Sequence, residues 1–229
     1  MEPLTISPDS LAAALRQRTS ALHIEAERSG FVADMLRGAV DRRSYALFLR
    51  NLLPAYRALE RGLQAHAKAP VLQYLVRPEL FRSDALEMDL KALAGEDWDT
   101  GLPTLPTAVN YSDRITFAAG EDGSLLIGHA YARYLGDLSG GQILKRLLAQ
   151  NLDLDGDALR FYEFPAIADV AAYKLDYRKA IDRAGAALDD FSGIVSEGAL
   201  AFGLNIALSQ DVKAYYSADS AEATGGNEP

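Results

Sequence analysis

Residues 131–142 read Tyr-Ala-Arg-Tyr-Leu-Gly-Asp-Leu-Ser-Gly-Gly-Gln. A helical apolar pattern runs into this segment and leaves it through Ile143, Leu144 and Leu147, yet Gly136, Gly140 and Gly141 fall within it. Each glycine in a helix interior costs about 1 kcal/mol relative to alanine, so something must offset the cost. On an ideal helix Gly136 and Gly140 lie one turn apart on nearly the same face. Tyr134, Leu135 and Leu138 fall roughly opposite, where they can pack on the protein. The glycine face is bare backbone, able to touch a flat ligand or to bend. Arg133 and Asp137 flank it four residues apart, the spacing of a helical ion pair. A close helix–helix crossing, or a kink without any ligand, accounts for the same glycines, and spacing alone leaves the choice open.

Outward from this segment the apolar period stays helical almost everywhere. Leu11, Leu15, Leu22 and Ala26 mark one stripe, opened by the cap-rich Ser7-Pro8-Asp9-Ser10. Tyr45, Phe48, Leu52, Tyr56 and Leu59 mark a second that ends before Pro70. Residues 83–94 form a third, and 104–119 and 124–150 two more, separated by Gly120 to Gly123. Val170, Tyr173, Tyr177, Ile181 and Ala184 form the next, and the last runs from about Asp190 to Tyr215. No stretch alternates as a strand. The expectation is an all-α, single-domain multi-helix bundle over residues 11–216, with a short N-terminal segment 1–10 before it. From residue 217 the small, acidic SADSAEATGGNEP reads as a disordered tail over 217–229.

Composition narrows the chemistry. The chain has 229 residues, 49% apolar and 24% charged, the balance of a globular domain able to bury a core. It has no cysteine, which excludes disulfides, thiolate ligation, iron–sulfur clusters and a cysteine nucleophile. The start lacks the basic and apolar regions of a secretory signal, and no apolar run reaches the roughly 20 residues of a membrane span, so the cytoplasm is the expected location. A net charge of −9 argues against non-specific nucleic-acid binding.

Three histidines are available: His23, His66 and His129. His23 sits on the shoulder of the first helix's leucine stripe. Arg16 lies seven residues earlier, almost on the same face and about 10 Å along the axis. Glu27 follows His23 by one turn, close enough to influence the imidazole. A histidine that binds a metal needs such a setting: a neutral ring nitrogen aimed at the metal, and a carboxylate near the other nitrogen. A plain surface helix carrying one histidine is the commoner meaning of the same pattern. His129 falls on the glycine face two turns before Gly136, and His66 near the end of the second long helix is expected to be solvated. Lys174 and Arg178 share a helical face, which by itself reads as a solvated surface.

Together these segments resemble the haem (heme) oxygenase family over roughly residues 11 to 210. GDLSGGQ preceded by Arg-Tyr-Leu closely resembles the family's distal helix, kinked at its glycines. Leu15 to Phe31, with its His-x-x-x-Glu core, resembles the proximal helix, and Tyr173 to Arg178 the propionate-binding helix. Nothing is carried over between 95 and 122. The likeness is to soluble bacterial and cyanobacterial members, without a membrane anchor.

The resemblance implies an oxidoreductase that uses haem b as both substrate and cofactor. Dioxygen and external electrons open the ring to biliverdin, carbon monoxide and ferrous iron. By position His23 is the iron ligand with Glu27 beside it. Arg16, Lys174 and Arg178 take the propionates near Tyr131, and Phe202 and Asn205 of the last helix lie near the haem. Gly136 and Gly140 bring backbone over the ring. Asp137 holds a proton-delivering water, steadied by Arg133 and by Tyr56, which could equally be an ordinary core tyrosine. Phe202 could likewise be simple packing. No nucleotide or flavin motif is present, so the donor is expected to be a ferredoxin or a flavin reductase docking near the cations; a phytochrome is one possible acceptor of the product. A haem carrier or sensor that never opens the ring is the alternative. A di-iron bundle would need Glu-x-x-His pairs, and a thiaminase-like site a cysteine; the chain has neither.

Overall fold

The structure is a computed structural model that describes residues 10–225, with side chains to residue 219. Ten α-helices follow in chain order: α1 (Leu11–Arg28), α2 (Gly30–Leu36), α3 (Arg42–Ala65), α4 (Ser83–Ala94), α5 (Trp98–Gly101), α6 (Pro106–Ala118), α7 (Leu126–Asp137), α8 (Gly140–Leu152), α9 (Val170–Ala186) and α10 (Ser192–Gly225). Three 3-10 turns join them, and no strand occurs among the described residues. The all-α expectation is met.

Local chemistry sets the helix starts. Ser10 caps α1, its side chain accepting from the Ala13 amide; Ser7 to Asp9 lie outside the described residues. Asp41 and Ser44 form a reciprocal capping box on α3, and Asp169 caps α9. The α3 stripe Tyr45, Phe48, Leu52, Tyr56 and Leu59 is buried, and with Leu11 and Leu15 of α1 it enters one core.

Residues 124–150, expected as one kinked helix, are two. Leu138 ends α7, and Ser139 takes φ −117°, ψ −85°, outside the helical region, before α8 starts at Gly140. Three glycines make the helical backbone weak enough here for the helix to break at Ser139.

The longest helix, α10, organises the fold. It packs against α1, α2, α6 and α7. Over 192–219 it is long and apolar enough to cross a membrane, contrary to the reading of the sequence, which divided that stretch into shorter runs; half of its most apolar window is buried inside the bundle, as in a core helix. It also continues to Gly225, so residues 217–225 are helical rather than a disordered tail. The Arg43–Asp219 ion pair at 3.4 Å ties the extension to the start of α3, and alanine and glutamate are adequate helix formers. Residues 226–229 lie outside the described residues.

Candidate functional site between α1, α7 and α10

Three helices meet at glycines. A Cβ on Gly128 would lie 2.6 Å from the Gly198 amide nitrogen, and one on Gly198 2.5 Å from Leu15 Cδ2. Glycine is required there because two backbones and a leucine share the space. His23 and Gly136 each lie eight residues beyond this crossing, about 12 Å along their helices. Side chains of α10 reach both neighbours: Phe202 sits 6.0 Å from the His23 ring, and Asn205 accepts from Arg133. All three helices therefore leave the crossing in the same sense, and the site lies about two turns along them.

On the α1 side His23 is 54% exposed. Its Nδ1 faces Glu27 Oε1 at 3.6 Å, too long for a hydrogen bond but close enough for electrostatic influence, and this leaves Nε2 accessible to a ligand. Phe202 is buried beside it.

On the α7 side, a Cβ added to Gly136 or to Gly140 would meet nothing within 4 Å. These two glycines do not serve a helix crossing; their face is open space. Tyr134, Leu135 and Leu138 are buried on the other side, as their spacing requires. The contrast with Gly128 has a measurable consequence. Gly128→Ala will destabilise the protein by about 1–3 kcal/mol through overpacking, whereas Gly136→Ala will leave stability unchanged or raise it by up to about 1 kcal/mol. Urea unfolding of the two variants checks this; equal losses would contradict it.

Beside the glycine face is a buried polar network. Tyr56 donates its hydroxyl proton to Asp137 Oδ2 at 2.6 Å and accepts from Arg133 Nε at 2.9 Å. Arg133 Nη2 lies 3.5 Å from Asp137 Oδ1, so the expected pair is also bridged by a tyrosine. Tyr56 is thus both a buried core residue and the link between Arg133 and Asp137. Burial raises the Asp137 carboxyl above its ordinary range, against the opposing pull of Arg133 and Tyr56. Burial disfavours the charge on Arg133 too, but Tyr56 and Asp137 outweigh it and hold the guanidinium protonated. Such a network can hold a proton at a carboxylate in a low-dielectric setting, which is what general acid chemistry needs.

Cations form one edge. The Ala12 amide donates to Asp182 Oδ1 at 2.8 Å, and Leu11 packs on Gly185, so the start of α1 lies antiparallel to the end of α9. Arg16 is one turn after Ala12 and Arg178 one turn before Asp182, which puts both at one level. Among the described residues neither has an ion-pair partner. A further turn along α9, Lys174 donates to Ser139 Oγ at 3.1 Å, in the break between α7 and α8. The α9 cations therefore span from α1 to the glycine segment. Tyr131 is half-buried on α7 and packs on the core.

Two histidines belong elsewhere. His129, placed on the glycine face by periodicity, is wholly buried, with Nε2 2.7 Å from Glu197 Oε1. Burial works to raise the Glu197 carboxyl, yet His129 and Arg114 hold it down at about 2. His66 is not solvated: it is half-buried, with Nε2 2.8 Å from the Ala119 carbonyl. Sequence reading missed Ser139 as the partner of Lys174, and Phe161, whose ring stands edge-on to Tyr56 at 5.4 Å. Phe161 sits in a short 3-10 turn with no helical period to mark it.

The chain is similar to known proteins along most of its length. The family model described as "Heme oxygenase" matches residues 9–211. "Heme oxygenase 1" of Nostoc sp. is 37% identical over 207 residues, 89% of this chain and 86% of the relative. Human "Heme oxygenase 1" is 33% identical over 97% of this chain and 78% of the relative. Among solved structures, the heme oxygenase-1 of the cyanobacterium Synechocystis sp. in complex with heme superposes with a TM-score of 0.83 at 33% identity. That match covers 96% of this chain and 100% of the other.

Proposed function

Since the chain belongs to the haem oxygenase family, we propose that it binds haem between α1 and α7 and opens the ring oxidatively to biliverdin. The observation that carries this reading is the open glycine face of Gly136 and Gly140, set beside the buried Tyr56–Asp137–Arg133 network.

The residues present fit the group. A planar ligand needs a wall without side chains, and the two glycines supply one. Among the described residues no cluster of three metal-binding side chains occurs; one accessible imidazole suits an iron whose other ligands come from a porphyrin. Arg16 and Arg178, neither with an ion-pair partner among the described residues, suit carboxylates. Haem, when bound, supplies both the iron that activates dioxygen and the carbon skeleton that is oxidised.

The protein's own residues bind, orient and protonate. His23 would hold the iron, with Glu27 3.6 Å from its Nδ1 to bias that ring nitrogen. Arg16, Lys174 and Arg178 would hold the propionates near Tyr131, Lys174 exchanging Ser139 for a carboxylate, and so would orient the ring. Arginine forms a planar fork on a carboxylate and lysine a point charge, so Arg16 and Arg178 fix direction more firmly than Lys174 does. Phe202 supports the His23 side. Asp137 keeps a proton available through an ordered water, and Tyr56 and Arg133 hold its carboxyl in place.

Dioxygen is the oxidant. A ferredoxin or a flavin reductase supplies electrons from outside, docking by the cation edge in the cytoplasm, and a phytochrome is one candidate to take the bilin.

Aerobic incubation with hemin, ferredoxin, its reductase and NADPH tests the reading. The Soret band is expected to decay as a bilin absorption grows, with biliverdin identified by chromatography. A stable ferrous haem spectrum would instead make the protein a carrier.

A further inference from the structure

Behind the Tyr56–Asp137–Arg133 network lies a single 3-10 turn, Arg160–Tyr162, outside every α-helix of the bundle. Its first two amides end on one side chain. Asp89 Oδ1 accepts from the Arg160 amide at 2.9 Å, and Oδ2 from the Phe161 amide at 2.8 Å. Asp89 belongs to α4 and is wholly buried. Both oxygens of this carboxylate are spent on backbone amides, an arrangement that costs desolvation and gains position.

The clamped turn touches the site on two sides. Phe161 sets its ring edge-on to Tyr56, at 83° and 5.4 Å between centroids. Tyr162 lies under the start of α8: a Cβ on Gly141 would meet its ring at 3.0 Å, and its carbonyl accepts from Gln142 Nε2 at 2.8 Å. One carboxylate on a remote helix thereby supports the ring of Tyr56 and the residues immediately after Gly140.

We propose that Asp89 is a positioning residue for ring opening, clamping the 160–162 turn so that Phe161 holds the Tyr56 hydroxyl on Asp137. Asp89 touches neither the open glycine face nor the network itself; it acts through Phe161. The groups facing it are Arg160, Tyr162 and Glu163 from the turn side and Tyr45 from α3. Burial pushes its carboxyl up to about 7, against the two amides that stabilise its charge, so the strength of the clamp also varies near neutral pH. The inference rests on the function proposed above, but its first readout uses the protein without haem.

The test compares Asp89→Asn and Phe161→Leu in the full chain. In the ligand-free protein, amide exchange of residues 160–161 is expected to speed up by about tenfold or more in Asp89→Asn. The Tyr56 ring resonance, followed by selective carbon-13 labelling, is expected to shift in Asp89→Asn, where the Phe161 ring is retained. With haem and a reducing system, kcat falls by about tenfold in each while KM and haem affinity stay within about twofold. The double variant is expected to be no slower than the worse single one, because both break the same link.

A released turn with an unmoved Tyr56 resonance would overturn the proposal and leave Asp89 a structural anchor. Should Asp89→Asn fail to fold, Phe161→Leu still decides, since it keeps the carboxylate and both amide bonds. A wild-type kcat in that variant would overturn the proposal as well. Failure of the wild-type protein to open haem would defeat the functional reading instead, and the Tyr56 resonance would still report on the clamp.

Discussion

Asp137→Ala will bind haem with near-wild-type affinity and lose ring opening by a factor of about 10² or more. The carboxylate is 5% exposed, takes the Tyr56 hydroxyl at 2.6 Å, and lies within ion-pair distance of Arg133. It does not belong to the His23 side or to the cation edge, so affinity should survive its loss. Its removal leaves Tyr56 without an acceptor and a buried guanidinium without its carboxylate, so the variant also unfolds more easily, by about 3 kcal/mol. Asp137→Asn keeps the shape and tests the charge alone. Single-turnover spectra, with biliverdin separated by chromatography, give the answer. A normal biliverdin yield from either variant would defeat the assignment of Asp137 to proton delivery.

His23→Ala has the second large effect, and it separates binding from folding. The imidazole is 54% exposed; its neighbours are a 3.6 Å contact to Glu27 and a 6.0 Å ring contact to Phe202. Deleting it should change stability by no more than about 0.5 kcal/mol, the usual range for an exposed position. Haem affinity should nevertheless fall by about tenfold or more, because the proposed iron ligand is gone. Turnover should vanish and return when imidazole is added to fill the space. Titration of hemin against both proteins, alongside their melting temperatures, measures this. Unchanged affinity, or a loss explained by unfolding, would remove His23 from the iron.

Periodicity was enough to place most helices because apolar residues recur at helical spacing along them; α3, whose stripe Tyr45, Phe48, Leu52, Tyr56 and Leu59 is wholly buried, is the clearest case. The glycine segment was legible as a place needing explanation, but the tight helix crossing lies outside it, at Gly128, which the sequence reading did not single out. Gly128 serves a tight crossing, while Gly136 and Gly140, two and three turns later, face open space. Spacing cannot tell these apart, since the difference lies in what α10 does along the length of α7. The same change of neighbour misplaced His129, which shares the face of Gly136 in projection but is sealed against Glu197.

Local pairs such as Arg133 with Asp137, or His23 with Glu27, followed from helical spacing alone. Long-range partners did not. Tyr56 is 81 residues from Asp137, and Asn205 is 72 from Arg133. Phe161 and the Asp89 clamp depend on a turn without periodicity, where a carboxylate on α4 replaces regular helix bonding. The C-terminal extension was missed because small and acidic residues resemble a tail, whereas here they continue a helix already anchored by Arg43 and Asp219.

A crystal structure of the protein with hemin tests the central claim most directly. It should show iron bound by His23 Nε2, the macrocycle flat against the backbone of Gly136 and Gly140, and the propionates at Arg16, Lys174 and Arg178. Iron held by any other residue, or a porphyrin lying outside the gap between α1 and α7, would contradict it.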